Sequence, residues 1–280
     1  MTDSLHFLDA VAGLPEQLAA AHETAASIPA SALPSAEPIR NIAVLGMGGS
    51  GIAGDVIATT LNDELPVPVN VLKQIRTPAY VGPNTLAFAM SYSGDTEETV
   101  SMARGAVEQG AQLVAVSCGG ELERLAREAG ALHVPCPGGY LPRAAIGALG
   151  AVAAYRWKCD VNENAKAPAF WNAYPELAHN EICAWGQHGD VTRQLLTLVE
   201  LRHGYEHDRL KLRFAAGREQ IDECVHQILT VEAQGEGRLA QLLDLMYVGD
   251  WASCYLALQN DVDPGPIDAI ATLKARVADG

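Results

Sequence analysis

Basic charge is scarce in this chain, and that scarcity narrows its partners before any motif is read. Of 280 residues, 19 are Lys or Arg against 34 Asp or Glu, a formal net charge of -15. The five lysines (73, 158, 166, 211 and 274) form no cluster. Nucleic acid and anionic membrane are therefore not expected partners, because both are recognised through concentrated positive charge. No Lys or Arg precedes Arg40, so the basic segment of a signal peptide is missing, and no apolar run reaches the roughly 20 residues of a membrane span. The expectation is a cytoplasmic protein. The six cysteines (118, 136, 159, 183, 224 and 254) include no C-x-x-C pair. That argues against a zinc ribbon or redox dithiol and predicts free, buried thiols.

What is present is apolar material for a large core, 49% of the residues, enough for one large or two modest domains. Residues 1–28 read as an alanine-rich amphipathic arm with Leu5, Leu8, Leu14 and Leu18 among its apolar positions. Pro29, Pro34 and Pro38 then mark a stiff linker. From Arg40, strands near 41–45, 67–72, 85–90, 112–117 and 131–135 alternate with helices near 51–61, 96–108 and 121–129, which implies a parallel sheet with helices on both faces. A helix starting at Pro142 runs to about Lys158, and residues 159–190 are irregular. A strand near 194–201, a helix near 208–222, a strand near 224–231 and helices 237–259 and 266–277 complete the chain. The fold class is thus α/β, a doubly wound parallel sheet with a second, shorter α/β domain. The expected division is 1–40 arm and linker, 41–157 first domain, 158–280 second domain.

Two segments carry chemistry. Gly46-Met47-Gly48-Gly49-Ser50-Gly51 follows the run Ile42–Leu45, and Ser91-Tyr92-Ser93-Gly94-Asp95-Thr96 follows Leu86–Met90. Both lead into helices. Glycines let a ligand approach backbone amides, and hydroxyls at a helix start add donors, so the pair suits a dianion such as phosphate. Gly46, Gly48 and Gly51 also fit G-x-G-x-x-G, but that fingerprint needs an acid at the end of the next strand, where Lys73, Gln74, Ile75 and Arg76 stand instead. Lys73 or Arg76 could still serve a 2′-phosphate. His203-Gly204-Tyr205-Glu206-His207 fits H-x-x-E-H, but Gly204 disfavours the helix that zinc ligation would require, so a solvated loop and no metal are expected.

Taken in order, several strings resemble the bifunctional phosphoglucose/phosphomannose isomerase family, a branch of the sugar isomerase (SIS) domain proteins. They are the two loops above, Pro142-Arg143-Ala144-Ala145, Asn162-Glu163-Asn164-Ala165-Lys166, Pro175-Glu176-Leu177-Ala178-His179-Asn180-Glu181, and Asp263-Pro264-Gly265-Pro266 with Lys274. The resemblance runs from about residue 40 to the end. It implies an SIS-type fold and an aldose–ketose isomerase of the glucose 6-phosphate/mannose 6-phosphate to fructose 6-phosphate type. By the same resemblance Gly48, Gly49, Ser50, Ser91, Ser93 and Thr96 hold the phosphate, and Glu163 is the base that moves a proton through an enediolate. His179, commonly supplied by the neighbouring subunit, helps open the ring; Lys274 reaches the sugar; Arg143 stabilises the enediolate charge. It further implies a homodimer with a shared active site, no metal and no organic cofactor.

Read without the resemblance, Glu163 is a surface carboxylate in a polar loop, His179 a turn histidine, Lys274 a helix-surface cation and Arg143 a salt-bridge partner. Arg143 and Glu163 are only 20 residues apart. Against the family's usual pattern, roughly fifty residues that open the second sheet are missing, a loss that exposes a strand edge and asks for cover. Two alternatives follow from that gap: a non-catalytic phosphosugar binder, or a specialised enzyme on a different phosphorylated metabolite.

Overall fold

A computed structural model describes residues 2–61, 63–136 and 150–278, so Arg143 and the expected helix start at Pro142 lie outside the described residues. The chain divides into two compact units, Asp9–Ala148 and Met1–Leu8 with Leu149–Gly280. At the N-terminus stand α1 (Phe7–Ala12) and α2 (Leu14–Ala26). The Asp3 carboxylate accepts the N–H groups of Phe7 at 2.7 Å and Leu8 at 3.0 Å, giving α1 its cap. The buried positions are Phe7, Val11 and Leu14, spaced four and three residues apart, whereas the expected apolar position Leu5 is exposed because it precedes the helix.

The first unit continues through β1 (Asn41–Leu45), α3 (Gly48–Leu61), β2 (Val69–Leu72), β3 (Thr85–Met90), α4 (Glu97–Glu108), β4 (Gln112–Ser117), α5 (Gly120–Glu128) and β5 (Leu132–Pro135). β2 starts two residues later than the expected 67, after Pro68, which has no N–H to give a ladder. All pairings are parallel, in the order β2-β1-β3-β4-β5. Ile42–Leu45 are buried in succession, so both faces of β1 are covered, and β2 and β3 pair its two edges. Small side chains, Ala87, Ala89, Ala103, Ala106 and Ala115, let α4 approach the sheet around Met102 and Leu113. This strand order reverses direction between β1 and β3, so a crevice opens beyond their carboxyl ends.

The second unit holds α6 (Ala151–Glu163), short 3-10 turns at Glu176–His179 and Glu181–Cys183, α7 (Gly189–Leu195), β6 (Thr197–Arg202), α8 (Asp208–Ile221), β7 (Gln227–Glu232), α9 (Arg238–Gln259) and α10 (Asp268–Ala278). Residues 194 and 195, expected to open a strand, close α7 instead. β6 and β7 form a two-stranded parallel sheet, Thr197 opposite Gln227 through Arg202 opposite Glu232. α6 lies close against α9. The Trp157 indole N–H donates to the Leu245 carbonyl at 2.7 Å, and a Cβ at Gly249 would come within 2.4 Å of that nitrogen, so only glycine fits. Beside this contact Arg156 is buried between Asp160 at 3.0 Å and Asp250 at 2.9 Å.

The expectation of buried cysteines holds for one of the six. Cys254 is buried on α9, but Cys118 and Cys183 are exposed and Cys136, Cys159 and Cys224 half-buried. Cys118 lies just past β4 and Cys183 in a 3-10 turn, where the backbone leaves the core.

Candidate active site

The crevice beyond β1 and β3 is built from backbone before side chains. Gly48 has φ +51°, a conformation that suits glycine, and it starts α3 three residues earlier than the sequence pattern predicts. A Cβ at Gly51 would stand 2.5 Å from the Gly46 carbonyl oxygen, so the helix start can fold this tightly onto the strand end only without a side chain there. Gly48, Gly49 and Ser50 thereby form the first turn of α3, whose N–H groups have no carbonyl within the helix. Such a turn attracts anions.

The second loop is a hydroxyl network. Ser91, buried at the end of β3, lies 2.8 Å from the Thr96 hydroxyl, and its own hydroxyl oxygen accepts the Gly94 N–H at 3.2 Å. Ser93 is exposed and accepts the Asp95 N–H at 3.2 Å. Thr96 occupies the N-cap position of α4 yet makes no side-chain cap, because its hydroxyl turns to Ser91. The first-turn amides of α4 therefore stay available, next to Glu97 and Glu98 of the same turn.

A third loop, unrecognised in the sequence reading, supports the second. Gly94 has φ +82°, and a Cβ there would stand 1.8 Å from the Gly119 carbonyl oxygen. Around this contact the Cys118 N–H donates to the Tyr92 carbonyl at 2.9 Å, Leu122 N–H to Gly94 at 3.0 Å, and Glu121 N–H to Asp95 Oδ1 at 2.9 Å. The available signal was Gly119-Gly120 directly after an expected strand. Beyond β2, where a dinucleotide fold would place an acid, Lys73 forms an ion pair with Asp55 of α3. A separate cleft of about 420 Å³ beside α4 is lined by Asp95, Glu97, Val100, Ser101, Arg104 and Glu121. Its three carboxylates outnumber one guanidinium already paired with Glu121, the wrong sign for phosphate.

Glu163, Lys274 and His179 belong to the second unit. Glu163 is the last residue of α6 and half-buried, not a carboxylate in a polar loop. Its flanking residues are pinned. Asn162 Nδ2 donates to the Ala167 carbonyl at 2.8 Å, while fully buried Asn164 donates to Ser253 Oγ at 2.8 Å, which in turn donates to the Asp250 carbonyl at 2.8 Å. His179 is exposed at the end of the 176–179 turn, and Lys274 is exposed on α10. Around Arg156, burial opposes the guanidinium charge, but the Asp160 and Asp250 carboxylates more than offset it and raise its pKa. Burial pushes the Asp160 carboxyl well up, against the pull of Arg156 and with help from nearby Asp250.

The H-x-x-E-H stretch joins β6 to α8, but it is not simply solvated. Glu206 is buried, with Arg202 Nε at 2.8 Å and Nη2 at 2.7 Å, and it accepts the His203 N–H at 3.0 Å. Burial lowers the His203 pKa. His207 accepts the Arg209 N–H at 3.1 Å as the cap of α8. Among the described residues no group of three or more His, Cys, Asp or Glu side chains is arranged to hold a metal, and no helix is long and apolar enough to cross a membrane.

Comparison with known proteins also divides the chain in two. Residues 37–137 match the SIS domain family, and residues 138–277 match the bacterial phospho-glucose isomerase C-terminal SIS domain. The chain is 29% identical to a bifunctional phosphoglucose/phosphomannose isomerase of Caldicellulosiruptor bescii, over 97% of this chain and 98% of the relative. It is 30% identical to the enzyme of that name from Thermoplasma acidophilum, over 85% and 90%. The chain belongs to the bifunctional phosphoglucose/phosphomannose isomerase family. Among solved structures, the C-terminal domain of glucosamine-fructose-6-phosphate aminotransferase from Francisella tularensis shares the fold, with a TM-score of 0.69, 12% identity and coverage of 95% of this chain and 100% of that one. The alignment with the C. bescii family member spans 337 residues, whereas the aligned part of this chain is 97% of 280, so that relative carries segments this chain lacks.

Proposed function

We propose that the protein is an aldose–ketose isomerase that interconverts glucose 6-phosphate or mannose 6-phosphate with fructose 6-phosphate. The observation that carries this reading is the crevice beyond β1 and β3, where the first turns of two helices and the Ser91–Thr96 hydroxyl pair converge in a member of this family. Gly48, Gly49, Ser50, Ser91, Ser93 and Thr96 bind the phosphate. Glu163 takes the proton from C2 of the open-chain aldose, and the electron pair moves into a cis-enediolate; returning the proton to C1 gives the ketose. Arg143 stabilises the enediolate charge, Lys274 reaches the sugar, and His179 transfers the proton that opens the ring.

The same reading includes a cytoplasmic homodimer with a shared site, working without metal or organic cofactor. What supports the dimer is the bare two-stranded sheet. β7 is mostly exposed along its length, and Leu195, Leu212 and Leu229 nearby are 73%, 61% and 45% exposed. Two strands do not make a stable sheet alone, and open edges call for cover.

Incubation with fructose 6-phosphate in deuterated water tests the chemistry directly. Deuterium enters C1 or C2 of the sugar, and Glu163→Gln stops it; no exchange at high enzyme concentration removes the reading. The shared site is tested by mixing two inactive variants, Glu163→Gln and His179→Ala. Hybrid dimers regain one intact site, so an equal mixture recovers about a quarter of wild-type activity. A mixture that stays inactive while subunits exchange denies the shared site.

A further inference from the structure

In Asn162-Glu163-Asn164-Ala165-Lys166 the one basic residue, Lys166, follows the base by three positions, and its side chain has an unusual duty. Lys166 has φ +54°, a left-handed conformation that past a helix end is ordinarily taken by Gly or Asn. That backbone folds the side chain back over the carboxyl end of α6. Its ammonium donates to the Glu163 carbonyl at 2.8 Å, the Asn164 carbonyl at 3.3 Å and the Asp263 carbonyl at 2.9 Å. Two of these acceptors are carbonyls at the end of α6, where a cation meets the negative pole of the helix. The third belongs to the Asp263-Pro264-Gly265-Pro266 turn.

That turn is itself held. The Asp263 carboxylate accepts the Gly265 N–H at 2.9 Å and the Ser4 N–H at 3.1 Å. One cation therefore joins the peptide of Glu163 to a turn nearly a hundred residues away in sequence, while Asn164 anchors the next residue to Ser253 from the buried side. Asn162, Asn164 and Lys166 are thus all engaged in holding the backbone that carries Glu163.

We infer that Lys166 is a positioning residue for the isomerisation, setting the place of the Glu163 carboxylate by clamping its carbonyl to the 263–266 turn. The inference rests on Glu163 being the base. Lys166 touches no reacting atom in this role, so its loss acts on the proton-transfer step and leaves phosphate binding alone. A base displaced by about 1 Å loses on the order of a hundredfold in rate.

The experiment compares kcat, KM and thermal melting of the full-length wild type with Lys166→Met, Lys166→Arg and Glu163→Gln, using fructose 6-phosphate. Lys166→Met is expected to lower kcat by roughly tenfold to a hundredfold with KM changed less than about twofold, and Lys166→Arg, which keeps the cation, to recover most of kcat. Wild-type kcat in Lys166→Met overturns the inference. So does a loss carried by KM, or an equal loss in the Arg and Met variants. If Lys166→Met melts below the assay temperature, Lys166→Gln replaces it under the same criteria. The two claims fail separately: proton exchange surviving in Glu163→Gln dismisses the base itself, whereas exchange abolished there with wild-type kcat in Lys166→Met dismisses only the clamp.

Discussion

In the Asp9–Ala148 unit a five-stranded sheet is buried by aliphatic side chains and alanines, whereas in the other unit the helices α6 and α9 bury Arg156, Asp160 and Asp250 together with their apolar residues. The two kinds of core respond differently to damage. An apolar core loses stability in proportion to the volume removed, but a buried ion cluster that loses one member leaves an uncompensated charge. The polar core also lies within two helical turns of Glu163. Arg156 and Asp160 on α6 and Asn164 just past its end, spaced by four, form a buried stripe, and their partners Asp250 and Ser253 sit three apart on α9. The loops proposed to hold phosphate present backbone amides and hydroxyls, and the residue proposed as the base stands beside a fixed polar network.

Substitutions at five positions sharpen or break this contrast. The largest effect is expected from Glu163→Gln, a loss of roughly a hundredfold to ten-thousandfold in kcat with phosphosugar binding retained by calorimetry. Loss of binding in that variant would blur the division of labour. Arg156→Met should cost about 3–5 kcal/mol in urea unfolding because two carboxylates lose their shared cation. A cost no larger than that of an ordinary surface change would mean the cluster is not the core of its unit. Gly94→Ala should cost about 2–4 kcal/mol, since the new methyl meets the Gly119 carbonyl in a left-handed backbone, and KM should rise as the Ser91–Thr96 loop shifts.

Ser91→Ala is milder, about 1 kcal/mol of lost phosphosugar affinity, with kcat preserved. Unchanged affinity would remove the hydroxyl pair from the phosphate site. The smallest effect is Asp160→Asn, within about 1 kcal/mol of wild type, because Arg156 keeps Asp250 as its counter-ion while the amide removes a charge that burial disfavours. The folded pKa of Asp160 lies above its unfolded value. Its contribution to stability is therefore full below the unfolded value near 4 and is lost as pH rises through the folded value. Melting curves taken upward from pH 4 should show a smaller decline in Asp160→Asn than in wild type. An equal decline assigns the pH dependence to other groups.

The amino-acid sequence alone was enough for most of the strands and helices and for the two glycine- and serine-rich loops between them. Ile42–Leu45 is a bare apolar run because β1 is buried on both faces, and glycines follow it because only they let a helix start fold back onto the strand end. Those are local demands, so they leave local traces. Gly119-Gly120 marked a turn without naming what it braces, and the left-handed Lys166 and the pairing of Arg156 with Asp250, 94 positions away, left no trace that spacing could decode. Each depends on which distant backbone or side chain arrives to meet it, and only the tertiary structure decided that. The reason is the short range of hydrogen bonds and ion pairs: a few ångströms separate a clamp from a surface lysine, and packing of distant segments sets those ångströms.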